Sequence, residues 1–315
     1  MQIPINIHDR ATHFNSTKDG RGYNLLHLNA LYDLESQLYL DAVIQKGREE
    51  HESKALVELV DCSELTEPVI LIADRGYEVY NNMAHMEQKG WKYLIRVKNK
   101  RGILSGLRLP DTPEFDLFFS YSLSKRLTNR IRQEPQKYRW IPSKVHFDYI
   151  PDASDTLYPI SFRAVRFAVK EGLYETVITN LPADRFPPPL LRELYHRRWG
   201  IETSFRDLKY TLALTHFHSK KLPFIEQEIF SRMTLYNFAS LLRLHAIFMQ
   251  PEGKYLYHIN AAFAAHIARE FLLGFVPPAK VEILISKFLL PIRPGQQKPR
   301  NMRVKRPVSF QYRMI

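Results

Sequence analysis

Residues 69–77 read VILIADRGY and decide how this chain folds. The five apolar residues 69–73 predict a strand buried on both faces of a sheet. Asp74 follows directly, at the carboxyl end of that strand, where open α/β sheets bind their ligands. Gly76 predicts a sharp turn into the next helix. An Asp at a strand end is also a common turn former or helix cap, so both interpretations of Asp74 stay open here.

The segments around this strand alternate between strand and helix patterns. We predict strands at 23–32 and 37–44 joined by a turn at 33–36, a helix at 49–60, a helix at 78–89 and a strand at 91–98. Strands that alternate with helices are typical of a mixed α/β sheet. The fold class is therefore predicted to be α/β.

Beyond residue 98 the pattern changes twice. Aromatic and β-branched residues broken by Pro and Gly predict a β-rich insertion, and helical spacing follows the three prolines at 187–189, with helices at 190–214, 225–249 and 259–273. We therefore divide the chain into four regions: 1–98 as the first part of an α/β core, 99–180 as the insertion, 181–275 as the helical part of the core, and 276–315 as a basic, Pro-rich tail.

The charge of the chain points to a polyanionic partner. Its 315 residues carry 45 Lys+Arg and 33 Asp+Glu, a formal charge of +12, and 45% of them are hydrophobic. That hydrophobic content excludes a disordered chain. Residues 121–150 hold seven basic and two acidic side chains, and residues 291–315 hold seven basic and no acidic ones. Such clusters favour nucleic acid, although a basic surface that binds nothing has the same composition.

The cysteine count and the hydropathy of the chain indicate the cellular compartment of the protein. Cys62 is the single cysteine, which excludes an internal disulfide and a Cys-rich zinc site. No stretch approaches the roughly 18 apolar residues that cross a bilayer, and residues 1–10 lack the apolar core of a signal peptide. We expect a cytoplasmic protein with no membrane partner.

A second group of polar residues lies in 194–210, which reads LYHRRWGIETSFRDLKY. On one continuous helix, Tyr195, Arg198, Glu202 and Lys209 fall within roughly 60° of each other, and Arg206 extends the stripe. One carboxylate among cations and a tyrosine suits a phosphate bound beside a metal ion. A solvated face is the alternative, since Glu202 and Arg206 are spaced to form an ion pair.

The spacing of these residues resembles the YREK signature of DDE insertion-sequence transposases, in the insertion sequence 4 family. Residues 69–81 resemble the family's strand with the second catalytic Asp, and residues 176–182 (TVITNLP) and 227–237 (QEIFSRMTLYN) are also similar. The resemblance implies an RNase H-like core interrupted by a β-rich insertion and followed by a helical C-terminal region. It also implies metal-dependent cleavage and strand transfer at transposon ends.

The resemblance assigns roles to individual residues. Asp74 and Glu202 match the second and third catalytic carboxylates, which bind Mg²⁺ or Mn²⁺, two ions with a complete triad. Tyr195, Arg198 and Lys209, with Arg206 beside them, would bind phosphates of the DNA. The implied partners are double-stranded DNA, as terminal inverted repeats and target, and a second copy in a paired-end homodimer. The implied location is the bacterial cytosol or nucleoid.

One departure from the family pattern concerns the first catalytic Asp. The family carries it upstream of a segment like residues 3–14, and the sequence begins at Met1. We therefore predict a chain truncated at its N-terminus and inactive as it stands. Two alternatives follow: a non-catalytic DNA-binding remnant that modulates a full-length relative, and an RNase H-like nuclease unrelated to transposition.

Three further sets of residues have candidate roles. Family members stabilise a flipped base with an aromatic residue of the insertion, and Trp140 and Tyr174 are the candidates here. His216 and His218 could bind a metal, but no third ligand is evident. Trp91 and Trp199 are predicted to be core residues.

Overall fold

The computed structural model describes residues 1–15, 22–98, 102–152 and 154–292. The strands are β1 (Gln2–Ile3), β2 (His13–Phe14), β3 (Tyr23–Asp33), β4 (Leu38–Lys46), β5 (Ile70–Ala73), β6 (Lys92–Arg96), β7 (Phe115–Ser124), β8 (Tyr138–Trp140), β9 (Tyr158–Lys170), β10 (Leu173–Thr179), β11 (Tyr257–Ile259) and β12 (Leu289–Pro291). The helices are α1 (Glu52–Asp61), α2 (Tyr80–Gln88), α3 (Asn129–Gln133), α4 (Pro188–Arg197), α5 (Trp199–Tyr210), α6 (Leu222–His245), α7 (Ala261–Leu272) and α8 (Pro278–Ile285). None of the helices in these ranges is long and apolar enough to span a bilayer.

The chain forms two compact units. The first joins residues 1–50 to the chain from Trp199 onward, and the second, which we call the central unit, is His51–Arg198. We call the first the split unit because its two parts are far apart in sequence. The four regions predicted from the sequence, with boundaries after residues 98, 180 and 275, do not coincide with these two units. They remain a prediction.

The central unit is built on a six-stranded mixed sheet. Its strand order is β5-β6-β10-β9-β7-β8. Strands β5 and β6 are parallel, with Ala73 opposite Ile95, whereas β10 runs antiparallel to β6, with Thr179 opposite Leu94. The predicted β-rich stretch therefore continues the sheet that carries Asp74. Its core includes Leu94, Val165 and Val177.

Strand β5 differs from its prediction in burial. Leu71 and Ala73 are buried, but Ile70 is 36% exposed, so the run is not covered on both faces along its length. The physical reason is position: β5 stands at the edge of the sheet, with β6 as its only hydrogen-bonded strand among the described residues. Parallel pairing with β6 still places Asp74 at the carboxyl end of the strand, as predicted.

The split unit contains the predicted hairpin. Strands β3 and β4 pair antiparallel, and the turn between them is closed by the Asp33 carboxylate, which accepts from the backbone N–H groups of Glu35 and Ser36 at 3.0 and 3.1 Å. The short strands β1 and β2 also pair with β3. The core here brings Leu26 and Tyr39 of the hairpin against Ile229 of α6.

The helical region departs from its prediction at the polar motif. A single helix over 190–214 is wrong: α4 ends at Arg197 and α5 begins at Trp199, with Arg198 in a turn between them. The compact units also divide at this point. The stripe of side chains on one continuous helix therefore does not exist as predicted, because the helix that would carry it is broken.

The remaining predictions agree with the structure in most places. The helices predicted at 225–249 and 259–273 correspond to α6 and α7, while α8 and the β11–β12 pair were not predicted. The tail from residue 293 lies outside the described residues. The mixed α/β class is confirmed.

Candidate functional site

Asp74 lies where the main chain leaves β5 for a short 3₁₀ turn over residues 75–77. Its Oδ1 accepts from the backbone N–H of Arg75 at 2.7 Å, so the carboxylate caps this turn. The side chain remains 44% exposed. Asp74 is therefore a turn former, as one of the two interpretations predicted, and its carboxylate is accessible at the end of the strand.

Tyr195 approaches the same carboxylate from α4. Its hydroxyl lies 3.5 Å from Asp74 Oδ1, and the residue is only 4% exposed. Burial raises the pKa of the Tyr195 hydroxyl to about 12, so at neutral pH it is a hydrogen-bond donor. The predicted phosphate ligand is thus a buried residue whose polar tip faces Asp74. The guanidinium of Arg198 lies 5.6 Å from the centre of its ring.

Arg96, which no motif singled out, stands between two carboxylates. Its Nη1 is 3.4 Å from Glu175 Oε1 and 4.0 Å from Asp74 Oδ1. Arg96 ends β6 and Glu175 lies in β10, next to Thr176 whose carbonyl accepts from the Val97 N–H at 2.9 Å. Sequence reasoning missed this arginine because β10 pairs with β6 across about 80 residues of chain.

A polar pocket opens beside Asp74 in the central unit. It encloses about 350 Å³ and is lined by Arg75, Arg96, Val97, Lys98, Tyr174, Glu175 and Thr176. Tyr174, one of the two candidate aromatic residues, therefore belongs to this pocket. Trp140 is instead on β8, at the opposite edge of the same sheet, where its indole N–H donates to the Lys125 carbonyl at 3.3 Å.

The other predicted residues lie on α5 in the split unit. Glu202 is in the first turn of this helix, where the helix dipole favours a negative charge. Glu202, Arg206 and Lys209 fall within about 60° on the helical wheel. Buried Ser204 and Leu208 occupy the opposite face. The part of the predicted stripe that lies on α5 therefore forms one polar face, with both cations exposed.

Two asparagines fix the elements around these side chains. The Asn237 amide accepts from the Tyr39 N–H and donates to the Tyr39 carbonyl, both at 2.8 Å, which ties α6 to β4. Asn180 does the same in the central unit: it accepts from the Tyr93 N–H at 2.9 Å and donates to the Trp91 carbonyl at 3.2 Å. Each asparagine satisfies a strand's backbone as a neighbouring strand would.

Gly76 has a different role from the one predicted. Its φ is not positive, so the turn does not require a left-handed backbone. A Cβ at Gly76 would instead meet the carboxylate of Glu52 on α1. A larger residue at position 76 would therefore require the Glu52 carboxylate to move.

The remaining candidate residues are the histidine pair His216 and His218 and the two tryptophans, which differ in their contacts and exposure. The backbone N–H of His218 donates to Glu228 Oε1 at 2.9 Å, and the His216 carbonyl accepts from Arg232. Within the described residues neither histidine belongs to a group that could hold a metal ion. Trp91 is buried, as predicted, but Trp199 is 53% exposed and is not a core residue.

The donor set at Asp74 suits a divalent metal ion. Within the described part of the chain, the contacts of Asp74 involve Oδ1, and Oδ2 makes none. Accessible carboxylate oxygens are the ligands that Mg²⁺ and Mn²⁺ prefer. Asp74, directly after β5, therefore fits such an ion in chemistry and exposure.

These features define a class: a mixed α/β protein with an accessible carboxylate at a strand end and cations suited to phosphate. The family model "Transposase DDE domain" matches residues 6–238. The chain belongs to this family and is a DDE transposase by descent. The family normally acts on DNA and uses a divalent metal. No curated protein matches the chain in a sequence comparison.

Proposed function

We propose that this chain is a DNA transposase of the insertion sequence 4 type, with an RNase H-like core, that cleaves DNA at transposon ends and joins it to a target. The observation that carries the proposal is the Asp74 carboxylate, accessible at the end of a strand and adjoined by a cationic pocket, in a chain matched by the DDE family model. The DNA of a bacterial nucleoid would be its substrate.

Asp74 and Glu202 would hold the divalent ions. When bound, Mg²⁺ or Mn²⁺ would activate the attacking oxygen and stabilise the leaving one in phosphodiester displacement. The hydroxyl of Tyr195 donates toward Asp74 Oδ1 and would keep the other oxygen turned outward. Arg198, Arg206 and Lys209 would bind DNA phosphates, as the YREK pattern implies.

We further propose that Tyr174, and not Trp140, is the aromatic residue that stabilises a base taken out of the stack. Tyr174 lines the pocket next to Asp74, whereas Trp140 lies at the far edge of the sheet. The guanidinium of Arg166 lies 5.2 Å from the centre of the Tyr174 ring, which fixes the ring by a cation–π contact. Stacking on an aromatic ring is worth about 1–3 kcal/mol per base.

The proposed working form is a homodimer that pairs two DNA ends. Residues 247–292 supply large exposed apolar side chains, among them Ile247, Met249 and Phe275, each more than 70% exposed. Apolar surface of this kind favours a protein partner. Sedimentation should show a dimer, and Ile247→Asp with Met249→Asp should shift it toward monomer. A wild-type chain that stays monomeric with DNA bound would contradict this part of the proposal.

The experiment that tests the function asks where DNA is cut. The purified chain is incubated with Mg²⁺ or Mn²⁺ and a plasmid that carries the DNA flanking its own gene, and strand breaks are mapped to single nucleotides. Breaks confined to inverted-repeat ends support the transposase. Breaks spread over DNA without such ends would establish a general nuclease instead.

Binding separates the remaining alternative. Salt-dependent binding to the inverted repeats without any break would instead support the prediction of an inactive chain, a non-catalytic DNA-binding protein that modulates a full-length relative. Absence of both binding and breaks would overturn the proposal altogether.

A further inference from the structure

The pocket beside Asp74 is built from the ends of three neighbouring strands of the sheet. The carboxyl ends of β5 and β6 and the amino end of β10 meet there, because β10 runs antiparallel to β6. Arg75, Arg96 and Lys98 supply three positive charges, and Glu175 supplies the only carboxylate among the lining residues. The pocket therefore carries a surplus of positive charge next to the proposed reacting centre.

Hydrogen bonds fix the main chain that carries these three cations. The Glu78 carboxylate, which is buried, accepts from the N–H groups of Lys98 and Ile103 at 2.8 and 2.7 Å. The Arg75 N–H is held by Asp74, and the Val97 N–H by the Thr176 carbonyl. The backbone under all three cations is thus fixed before any ligand arrives.

The side chains differ in how they are engaged. Arg96 is 34% exposed, reaches Glu175 at 3.4 Å and lies 4.0 Å from Asp74 Oδ1, outside the pocket lining. Arg75 and Lys98 are exposed, and neither forms an ion pair within the ranges that the structure describes. One cation is therefore held by a carboxylate inside the pocket, and two present their charge to solvent at its rim.

We propose that this pocket binds a backbone phosphate of a DNA strand and that Glu175 is an internal competitor for it. Arg96 would release Glu175 and turn its planar fork to the phosphate, a geometry suited to bidentate contact, while Arg75 and Lys98 add charge. The inference rests on the proposed function, because it gives that site a phosphate subsite outside the YREK residues. It makes Arg96 a DNA-binding residue and Glu175 a residue that weakens binding.

The test measures binding of a fluorescent single-stranded oligodeoxynucleotide by anisotropy, without divalent metal, over a range of salt concentrations. Two pairs of variants are matched in charge. Lys98→Gln is compared with Lys54→Gln on α1, and Glu175→Gln with Glu171→Gln, which is exposed in the turn between β9 and β10. Arg96→Gln removes the central guanidinium, and circular dichroism checks that each variant is folded.

We expect Arg96→Gln to raise the Kd about tenfold and Lys98→Gln about threefold, with Lys54→Gln changing it less than twofold. The slope of log K against log salt should fall by about 0.7 for each phosphate of the single strand that a variant no longer binds. Glu175→Gln should lower the Kd about threefold, and Glu171→Gln should leave it unchanged.

The binding measurements distinguish failure of the phosphate subsite from failure of the proposed function. If the wild-type chain binds DNA but Glu175→Gln and Glu171→Gln behave alike, or Arg96→Gln binds as wild type, the phosphate subsite is overturned and the transposase proposal stands. If the wild-type chain shows no salt-dependent binding to any DNA, the proposed function itself is overturned.

Discussion

The surroundings of Asp74 and those of Glu202, the two predicted metal ligands, are built in different ways. Asp74 belongs to the central unit, at the end of a sheet strand, with a buried tyrosine and a fixed main chain around it. Glu202 belongs to the split unit, on a helix face whose cations are exposed. The surroundings of Asp74 depend on contacts between many elements, and those of Glu202 depend on the anchoring of one helix. Substitutions should therefore act on the two units unequally.

The largest expected effect is on the sheet that carries Asp74. Arg163 is buried and binds Asp116 through two hydrogen bonds, at 2.6 and 3.1 Å, while donating to the carbonyls of Leu181 and Phe186. Arg163→Met should destabilise the central unit by about 3–5 kcal/mol, because it leaves a carboxylate and two carbonyls without their donor. Urea denaturation measures the loss.

A surface ion pair in the same unit provides the control for that measurement. Arg126 binds Asp155 at 2.7 Å, with both side chains mostly exposed. Arg126→Met should cost less than about 1 kcal/mol. Equal losses for the two variants would show that burial of Arg163 contributes nothing.

The paired asparagines compare the two units directly. Asn180→Ala and Asn237→Ala each remove one acceptor and one donor from a strand backbone, and each should cost about 2 kcal/mol. Asn237→Ala should loosen the packing of α6 on β4, and Asn180→Ala should loosen β6. Hydrogen exchange locates the change, and a decrease of protection in the wrong unit would refute the assignment of either residue.

The close approach at Gly76 predicts a smaller effect. Gly76→Ala should destabilise the Asp74 turn by about 1 kcal/mol, since the Glu52 carboxylate can move away from a methyl group. The double variant with Glu52→Ala should recover most of that loss, because the clash is then absent. If the second substitution adds to the loss, the two residues do not compete for space.

The smallest effect is a dependence of stability on pH in the central unit. Burial acts to raise the pKa of Asp148, but hydrogen bonds from Asn81 and His85 outweigh it and hold that pKa below its usual value of 3.8. A lowered carboxyl pKa contributes stability above the unfolded-state value and loses it as pH falls through the folded-state value. The urea midpoint should therefore decrease below about pH 4, and less so in Asp148→Asn.

The sequence predicted the elements around Asp74 better than the helix that carries Glu202, for a physical reason. An apolar run followed by turn residues is a local signal, so β5, Asp74 and the next helix were all expected. The break at Arg198 has no such signal, since helical spacing continues through it. Nor does local spacing predict the close contact at Gly200, where a Cβ would come within 2.8 Å of Leu34 in the β3–β4 turn.

Other features were hidden because they join distant segments. Arg96 and Glu175 meet only because β10 pairs with β6, and Asn237 reaches Tyr39 across about 200 residues. Local periodicity carries no information on such contacts. The resemblance to insertion-sequence transposases singled out the segments around both asparagines, but only the structure gives the reason that an amide is needed there.

The central proposal is that Asp74 and Glu202 serve the same metal-dependent reaction. It is tested most directly by the yield of metal-dependent breaks at the transposon ends in four charge-matched variants: Asp74→Asn, Glu202→Gln, and the exposed controls Asp155→Asn and Glu193→Gln. We predict that the first two each lose at least about a thousandfold in rate, as expected for ligands of the reacting metal, and that both controls stay near wild type. Breaks that persist in Asp74→Asn or Glu202→Gln, or that disappear equally in the controls, would contradict it.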